Sequence, residues 1–234
     1  MNKVYQILLI GILVVSFGIL VISCNEKKET KILESKVEFN QELVDELSKM
    51  AVIDQLAASN AHPPENYSHL TQEQWESFTD SVFTKNQKRI GEIFNKYGFL
   101  GYDLVGKGGS FDFWLITQHS DHNPEFQQKV LEKMKIEVDR NNADPKNYAM
   151  LVDRVKINTG QEQIYGSQVL FNIEIAQAYP KKLFDSVNVN KRRKSIGLEP
   201  IEVYLNEMTQ INFEMNKQVL LDKGITEPKL YKIE

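Results

Sequence analysis

Apolar residues recur at helical spacing over most of the chain beyond residue 40. Leu43 and Leu47 fall on one face of a helix that is predicted to begin at Gln41, with Asn40 as its N-cap. Asp54 falls on the same face. An acid on an apolar stripe is either a salt-bridged helix edge or a group that points into a site, and the spacing alone leaves both readings open.

Start signals predict further helices along the chain. Thr71 and Gln74 form a capping box ahead of a helix from Gln72. Thr84 is predicted to cap a second helix, which Gly98 ends. An N-cap followed by proline predicts two more helices, at Asn123-Pro124 and Asp144-Pro145.

Glycines and β-branched residues mark the segments where the helical pattern stops. Five glycines between Gly98 and Gly109 predict a turn-rich connection, after which Ser110 caps the next helix. The segment 163–179 has the composition of a short hairpin.

The C-terminal third returns to helical spacing. A short basic helix is predicted over residues 188–197, and a long amphipathic helix from Pro200 to about Leu221. The fold class is therefore mainly α: a single helical domain over residues 39–234 with one small β-hairpin.

The first 24 residues carry a different signal. Lys3 is followed by an apolar run that ends in Val21-Ile22-Ser23-Cys24. This is the plan of a secretory signal peptide (residues 1–23), and its end is similar to the lipobox of bacterial lipoproteins, whose cysteine is lipidated. The alternative is a retained transmembrane anchor, but no basic stop-transfer cluster follows directly. We therefore expect a lipid anchor on Cys24, a flexible tether over residues 24–38, and a place at the bacterial membrane in the cell envelope.

Composition narrows the classes of partner. The 234 residues carry a formal net charge of -4, which argues against a nucleic-acid partner. Cys24 is the only cysteine, so neither an internal disulfide nor a cysteine zinc site can form.

The segment 114–127 concentrates candidate chemistry, because an apolar run ends there in hydrogen-bonding and titratable side chains. His119 and His122 lie three residues apart, with Gln118 and Asp121 beside them. The pair could share a metal ion, His119 could transfer protons or donate a hydrogen bond, or His119 could be structural. Asn123 begins a new helix directly afterwards, so we expect no metal and no cofactor.

Three other polar blocks could contribute to a site. Asp153-Arg154 lies in mid-helix, either as an internal ion pair or with the arginine available for a carboxylate or phosphate. Tyr165 and Gln168 belong to a polar segment around a glycine, typical of a ligand loop and equally of an ordinary turn. Arg192 and Arg193 belong to a basic cluster that is predicted to be mainly a solvated helix face, with one arginine turned inward.

The segment KYGFLGYDLVGKGGS is followed along the chain by WLITQHSDHNPEFQ, YAMLVDRV, NTGQEQIYGSQ and VNKRRKSIGLEPIEVYL. In this order the blocks resemble the bacterial domain-of-unknown-function family 6624. Ser167 stands where threonine is commoner in that family, and Asn190 where aspartate is usual before the paired arginines. The resemblance implies one mainly helical domain whose polar blocks converge on a cleft, and it implies no particular activity.

Two functions and one structural interpretation follow. In the first, a metal-independent hydrolase or transferase uses His119 with Asp153 and Arg154 on a polar or anionic substrate. In the second, the same groups form the recognition pocket of a lipid-anchored ligand-binding or interaction module. In the third, they satisfy one another inside a helical domain. Gln118, Asp121, Tyr165, Gln168, Arg192 and Arg193 are the candidate ligand-binding residues.

Overall fold

Caps that are encoded locally set where four of the helices begin. The Asn40 side chain accepts a hydrogen bond from the Leu43 amide at 3.0 Å. Thr71 accepts from the Gln74 amide at 3.2 Å, and the Gln74 side chain returns the bond to the Thr71 amide at 2.9 Å. Asn123 and Asp144 cap the two helices that begin with proline. Each of these four predicted starts is confirmed.

The structure is a computed structural model that describes residues 37–233. The signal peptide, Cys24 and the tether up to residue 36 lie outside the described residues. Within them, no helix is long and apolar enough to cross a membrane. The described elements are, in order, α1 (Gln41–Ser59), α2 (Gln72–Tyr97), α3 (Tyr102–Gln118), α4 (Pro124–Asp139), α5 (Pro145–Asn158), β1 (Val169–Asn172), β2 (Gln177–Pro180), α6 (Val189–Ser195), α7 (Ile201–Met215) and α8 (Lys217–Asp222).

The first five helices bury a common apolar core. Its members come from all five helices and from the links between α2 and α3 and between α4 and α5. Each fully buried large side chain stabilises the fold by about 1.5–3 kcal/mol. The antiparallel hairpin of β1 and β2 packs on α7, where smaller apolar clusters form. The mainly helical class with a single small hairpin is confirmed for the described residues. Fully buried core residues include Leu47, Ile90, Leu100, Phe113, Val130, Met134 and Leu151.

The predicted break at Thr84 is wrong, because α2 is one helix of 26 residues. Val82, Asn86 and Ile90 form a single buried stripe through that point, while Thr84 is exposed on the opposite side. A continuous core contact therefore overrides a possible cap in the middle of the helix.

The predicted turn-rich connection is also largely helical. Helix α3 already begins at Tyr102 and is kinked at Gly106, where φ is 67°. Ser110 is buried inside α3 and caps nothing. A methyl group at Gly109 would lie 2.8 Å from Cβ of Val105, so the glycine serves close packing rather than a turn.

Two other boundaries differ from the prediction. The hairpin occupies only Val169–Pro180, and residues 163–168 form a loop before it. The C-terminal helix stops at Met215, and Asn216 separates it from α8.

Candidate functional site

A groove of about 900 Å³ opens where four segments meet. This volume is typical of small-molecule sites. The end of α1 contributes one wall, α2 a second, and α5 a single arginine. The junction between α3 and α4 supplies the remaining polar groups. The lining residues are Ala57, Ala58, Asn60, Ala61, Asp80, Phe83, Thr84, His119, Asp121, His122 and Arg154.

His119 is held in this groove by an acid from another helix. It follows the last residue of α3, and its Nδ1 is hydrogen-bonded to Oδ2 of Asp54 on α1. The Phe83 ring and the imidazole pack in an edge-to-face arrangement, with the ring centroids 5.9 Å apart. The His119 side chain is 19% exposed, whereas that of Asp54 is 1% exposed. Nε2 has no hydrogen bond from the residues that the structure describes.

The buried Asp54 has few other partners. Asn86 on α2 donates from Nδ2 to Asp54 Oδ1 at 3.2 Å. The same Asn86 nitrogen also donates to the Met50 carbonyl at 3.4 Å. The described structure gives Asp54 no backbone N–H donor. Removing a carboxylate from water with so few hydrogen bonds costs stability. The pairing of Asp54 with His119 therefore calls for a reason other than stability.

Asp121 and Arg154 form the second polar pair of the groove. Arg154 donates from Nε to Oδ1 at 2.7 Å and from Nη2 to Oδ2 at 2.5 Å. Gln127 and Asn158 donate to Oδ1 as well, at 3.1 and 2.7 Å. Partial burial by itself raises the pKa of Asp121, but the hydrogen bonds and charge of Arg154, with the two amides, outweigh it and lower the pKa.

Asp153 lies next to Arg154 in sequence but belongs to a different cluster. It is fully buried, and its carboxylate is surrounded by donors of the 163–168 loop. The amides of Ile164, Tyr165 and Ser167 donate to it at 2.7, 3.0 and 2.8 Å. The Ser167 hydroxyl adds a fourth donor at 2.9 Å. Asp153 therefore organises the loop and does not line the groove.

Arg192 and Arg193 hold the same loop from the side of α6. Arg192 donates from Nε to the Ile164 carbonyl at 2.9 Å, and Arg193 donates from Nη1 to the Tyr165 carbonyl at 2.7 Å. Arg193 is the arginine turned inward, since it is 1% exposed. Burial is the main cause that lowers its pKa.

Asn190 replaces the expected aspartate without leaving an unpaired group. It accepts from the Ile201 amide at 2.7 Å and donates to Glu202 at 2.9 Å. It thus caps α7, and its side chain makes no hydrogen bond to Arg192 or Arg193.

The structure brings together only part of the predicted site. His119, Asp121 and Arg154 line the groove, and His122 does so beside them. Gln118 is buried and is not among the lining residues. Asp153, Tyr165, Gln168, Arg192 and Arg193 belong to the loop cluster, so the predicted single cleft that includes Gln168 is not formed. Because α5 turns by about 100° per residue, Asp153 and Arg154 serve two separate clusters.

The histidine pair lacks the further ligands of a metal centre. In residues 37–233, no group of three or more His, Cys, Asp or Glu side chains is placed to hold a metal ion. Asp54 already engages His119 through Nδ1, and His122 Nε2 lies 3.4 Å from the Gln87 side chain.

The sequence pattern pointed to Asp54, His119 and Asp121 but not to the amides that bond to the two acids. Asn86 donates to Asp54 and Gln127 donates to Asp121, and each is a polar residue inside an apolar stripe. Asn86 lies between Val82 and Ile90 on the buried face of α2. Polar residues at core positions are the signal that could have identified both.

Comparison with known proteins places this chain in a family. No curated protein and no solved structure matches it. The model of a family of unknown function, DUF6624, matches residues 40–214, a span that contains every residue of the groove. The chain therefore belongs to the DUF6624 family.

Proposed function

We propose that the protein is an enzyme of the cell envelope, a hydrolase or transferase in which His119 transfers protons to and from a polar substrate in the groove. One observation carries the proposal: Asp54 is completely buried, and its partners are His119 and Asn86. Asp153 is equally buried but accepts hydrogen bonds from four donors of the 163–168 loop, which is what a structural carboxylate requires. Asp54 has no such set of donors, and what it does is orient an imidazole at the groove.

The pair resembles the acid–imidazole unit of many proton-transfer sites. An acid at Nδ1 holds the tautomer that carries its proton on that nitrogen, and it stabilises the imidazolium that forms later. Nε2 then accepts the proton of a water or hydroxyl group as its oxygen attacks the substrate. The same nitrogen returns the proton to the leaving group, so the histidine ends unchanged.

Turnover by the purified protein tests this role. We expect the wild type to convert at least one compound in a fraction of polar envelope metabolites, followed by mass spectrometry. His119→Gln abolishes that conversion, and Asp54→Asn lowers it by at least about 100-fold, because an amide at Nδ1 favours the wrong tautomer. His69→Gln is the matched control, since His69 is exposed and outside the groove. If compounds bind to the wild type and to His119→Gln alike and none is converted, catalysis is refuted and a ligand-binding module is the better description.

We propose further that the protein is anchored to the membrane through a lipid on Cys24. The support is the signal-like run that ends in Val21-Ile22-Ser23-Cys24. Labelling with a fatty-acid analogue is expected to mark the wild type but not Cys24→Ala. Equal labelling and processing of both forms would contradict the anchor.

A further inference from the structure

Arg154 combines a fixed guanidinium with an edge that no described residue occupies. Nε and Nη2 both donate to Asp121, while no hydrogen bond from Nη1 to the described residues is present. A guanidinium carries five N–H donors, so two on Nη1 and one on Nη2 remain. We propose that this edge binds a carboxylate of the groove's ligand, and that the enzyme's substrate is a monocarboxylate. That the carboxylate belongs to an enzyme's substrate rests on the proposed function. That the free edge of Arg154 binds a carboxylate does not.

The other four arginines differ from Arg154 in how their guanidinium nitrogens are hydrogen-bonded. In Arg89, Nε and Nη2 donate to Glu46 as in the Arg154 pair, but Nη1 donates to Glu92. Arg192 and Arg193 likewise have all three nitrogens hydrogen-bonded within the protein. The guanidinium of Arg140 makes one hydrogen bond, from Nη1 to Glu137, and is exposed at the surface. Among the described arginines, only Arg154 is both held through two nitrogens and open at the third.

Asp121 holds the guanidinium of Arg154 in a fixed orientation. Its two bonds fix the plane of the guanidinium, so a ligand does not have to immobilise a flexible side chain. The Arg154 side chain is 27% exposed and lines the groove, which makes the remaining edge accessible. Two parallel N–H donors match the two oxygens of a carboxylate.

Charge in the groove favours a single negative charge on the ligand. The lining carries Asp80 and Asp121 against one arginine, and Asp54 lies behind His119. A dianion such as phosphate gains roughly twice the attraction of a monoanion to Arg154, but it also meets roughly twice the repulsion from these acids, which outnumber the arginine. The exposed Asp80 contributes little to this repulsion, because exposed charges interact by about 0–1 kcal/mol, so the repulsion comes mainly from Asp121 and Asp54.

The proposed ligand thus has two ends. Its carboxylate lies on Arg154, and its reacting group lies within reach of His119. Because Arg154 and His119 line the same groove, acetate bound to Arg154 is expected to shift the NMR signals of both side chains.

The experiment is an NMR titration of the full-length protein in detergent, with acetate as the probe. The chain has five arginines and four histidines, so the arginine Nε–H and histidine ring signals can be resolved individually. Acetate is expected to shift the Arg154 and His119 signals saturably, whereas sodium chloride at equal ionic strength does not. Arg154→Lys keeps the charge but loses the fork, and it weakens acetate binding about tenfold. Arg89→Lys is the matched control and changes the affinity less than about twofold.

Three outcomes overturn the inference, and a fourth overturns only the proposed function. Equal shifts with chloride mean that there is no carboxylate site. Tighter binding of inorganic phosphate than of acetate contradicts the monocarboxylate class. If the direct titration of the wild type moves no Arg154 signal while His119→Gln still abolishes turnover, the inference fails and the proposed function stands. If acetate binds as expected but His119→Gln retains full turnover, the proposed function fails and the carboxylate site stands.

Discussion

Replacing Asp153 by asparagine should destabilise the domain far more than the same change at Asp54. Both aspartates are completely buried, but their partners differ. In the wild type, the Ser167 amide and hydroxyl donate to Asp153 Oδ2 at 2.8 and 2.9 Å. In Asp153→Asn, the new amide nitrogen faces these two donors. The hydroxyl can rotate and accept, but the backbone N–H cannot.

The expected loss of stability follows from the one backbone N–H that is left without an acceptor. One buried N–H without an acceptor costs about 1–3 kcal/mol, and the remaining bonds lose their charge assistance. We expect a loss of about 3 kcal/mol in the free energy of unfolding, or about 6–12 °C in Tm. Asp54→Asn should cost only about 1 kcal/mol, because the imidazole of His119 can accept from the new amide after a change of tautomer.

Urea unfolding followed by tryptophan fluorescence measures both values, since Trp75 and Trp114 are buried. Equal slopes of free energy against urea concentration are required for the comparison. If the two variants lose stability to within about 0.5 kcal/mol of each other, the distinction between a structural and a functional aspartate is wrong, and the argument for His119 loses its main support.

Three further predictions concern the loop, the ion pair and metals. Gly166→Ala should cost about 1–3 kcal/mol in urea unfolding, because φ is +75° there and the methyl group would lie 2.5 Å from Cδ1 of Ile201. The pKa of Asp121 is lowered in the fold, so its contribution to stability is complete above the unfolded pKa of about 3.9 and is lost as the pH falls through the lower folded pKa. In acid titrations of stability, Asp121→Asn should therefore lack the part of the pH dependence below about pH 4 that the wild type owes to its pair with Arg154. A strong chelator should leave Tm unchanged, and a large loss that one metal restores would reveal a metal site instead.

Local chemistry allowed the sequence to predict helix starts. The capping box of Thr71 and Gln74 needs only three residues of chain, and so does the cap that Asn123 provides ahead of Pro124. Apolar spacing likewise identified Leu43 and Leu47 as core residues. The predicted boundaries that depend on packing were wrong, because Gly109 and Thr84 have the same local chemistry in a turn or a cap as inside a packed helix.

The site was decided by packing over long sequence distances. Asp54 and His119 are 65 residues apart, and Asp121 and Arg154 are 33 apart. The sequence by itself determined which polar residues interrupt apolar stripes and must therefore find partners. Which partner each one meets depends on how the helices pack, and that depends on side-chain volumes throughout the core. Only the tertiary structure could therefore separate Asp153 from Arg154 and bring Asp54 to His119.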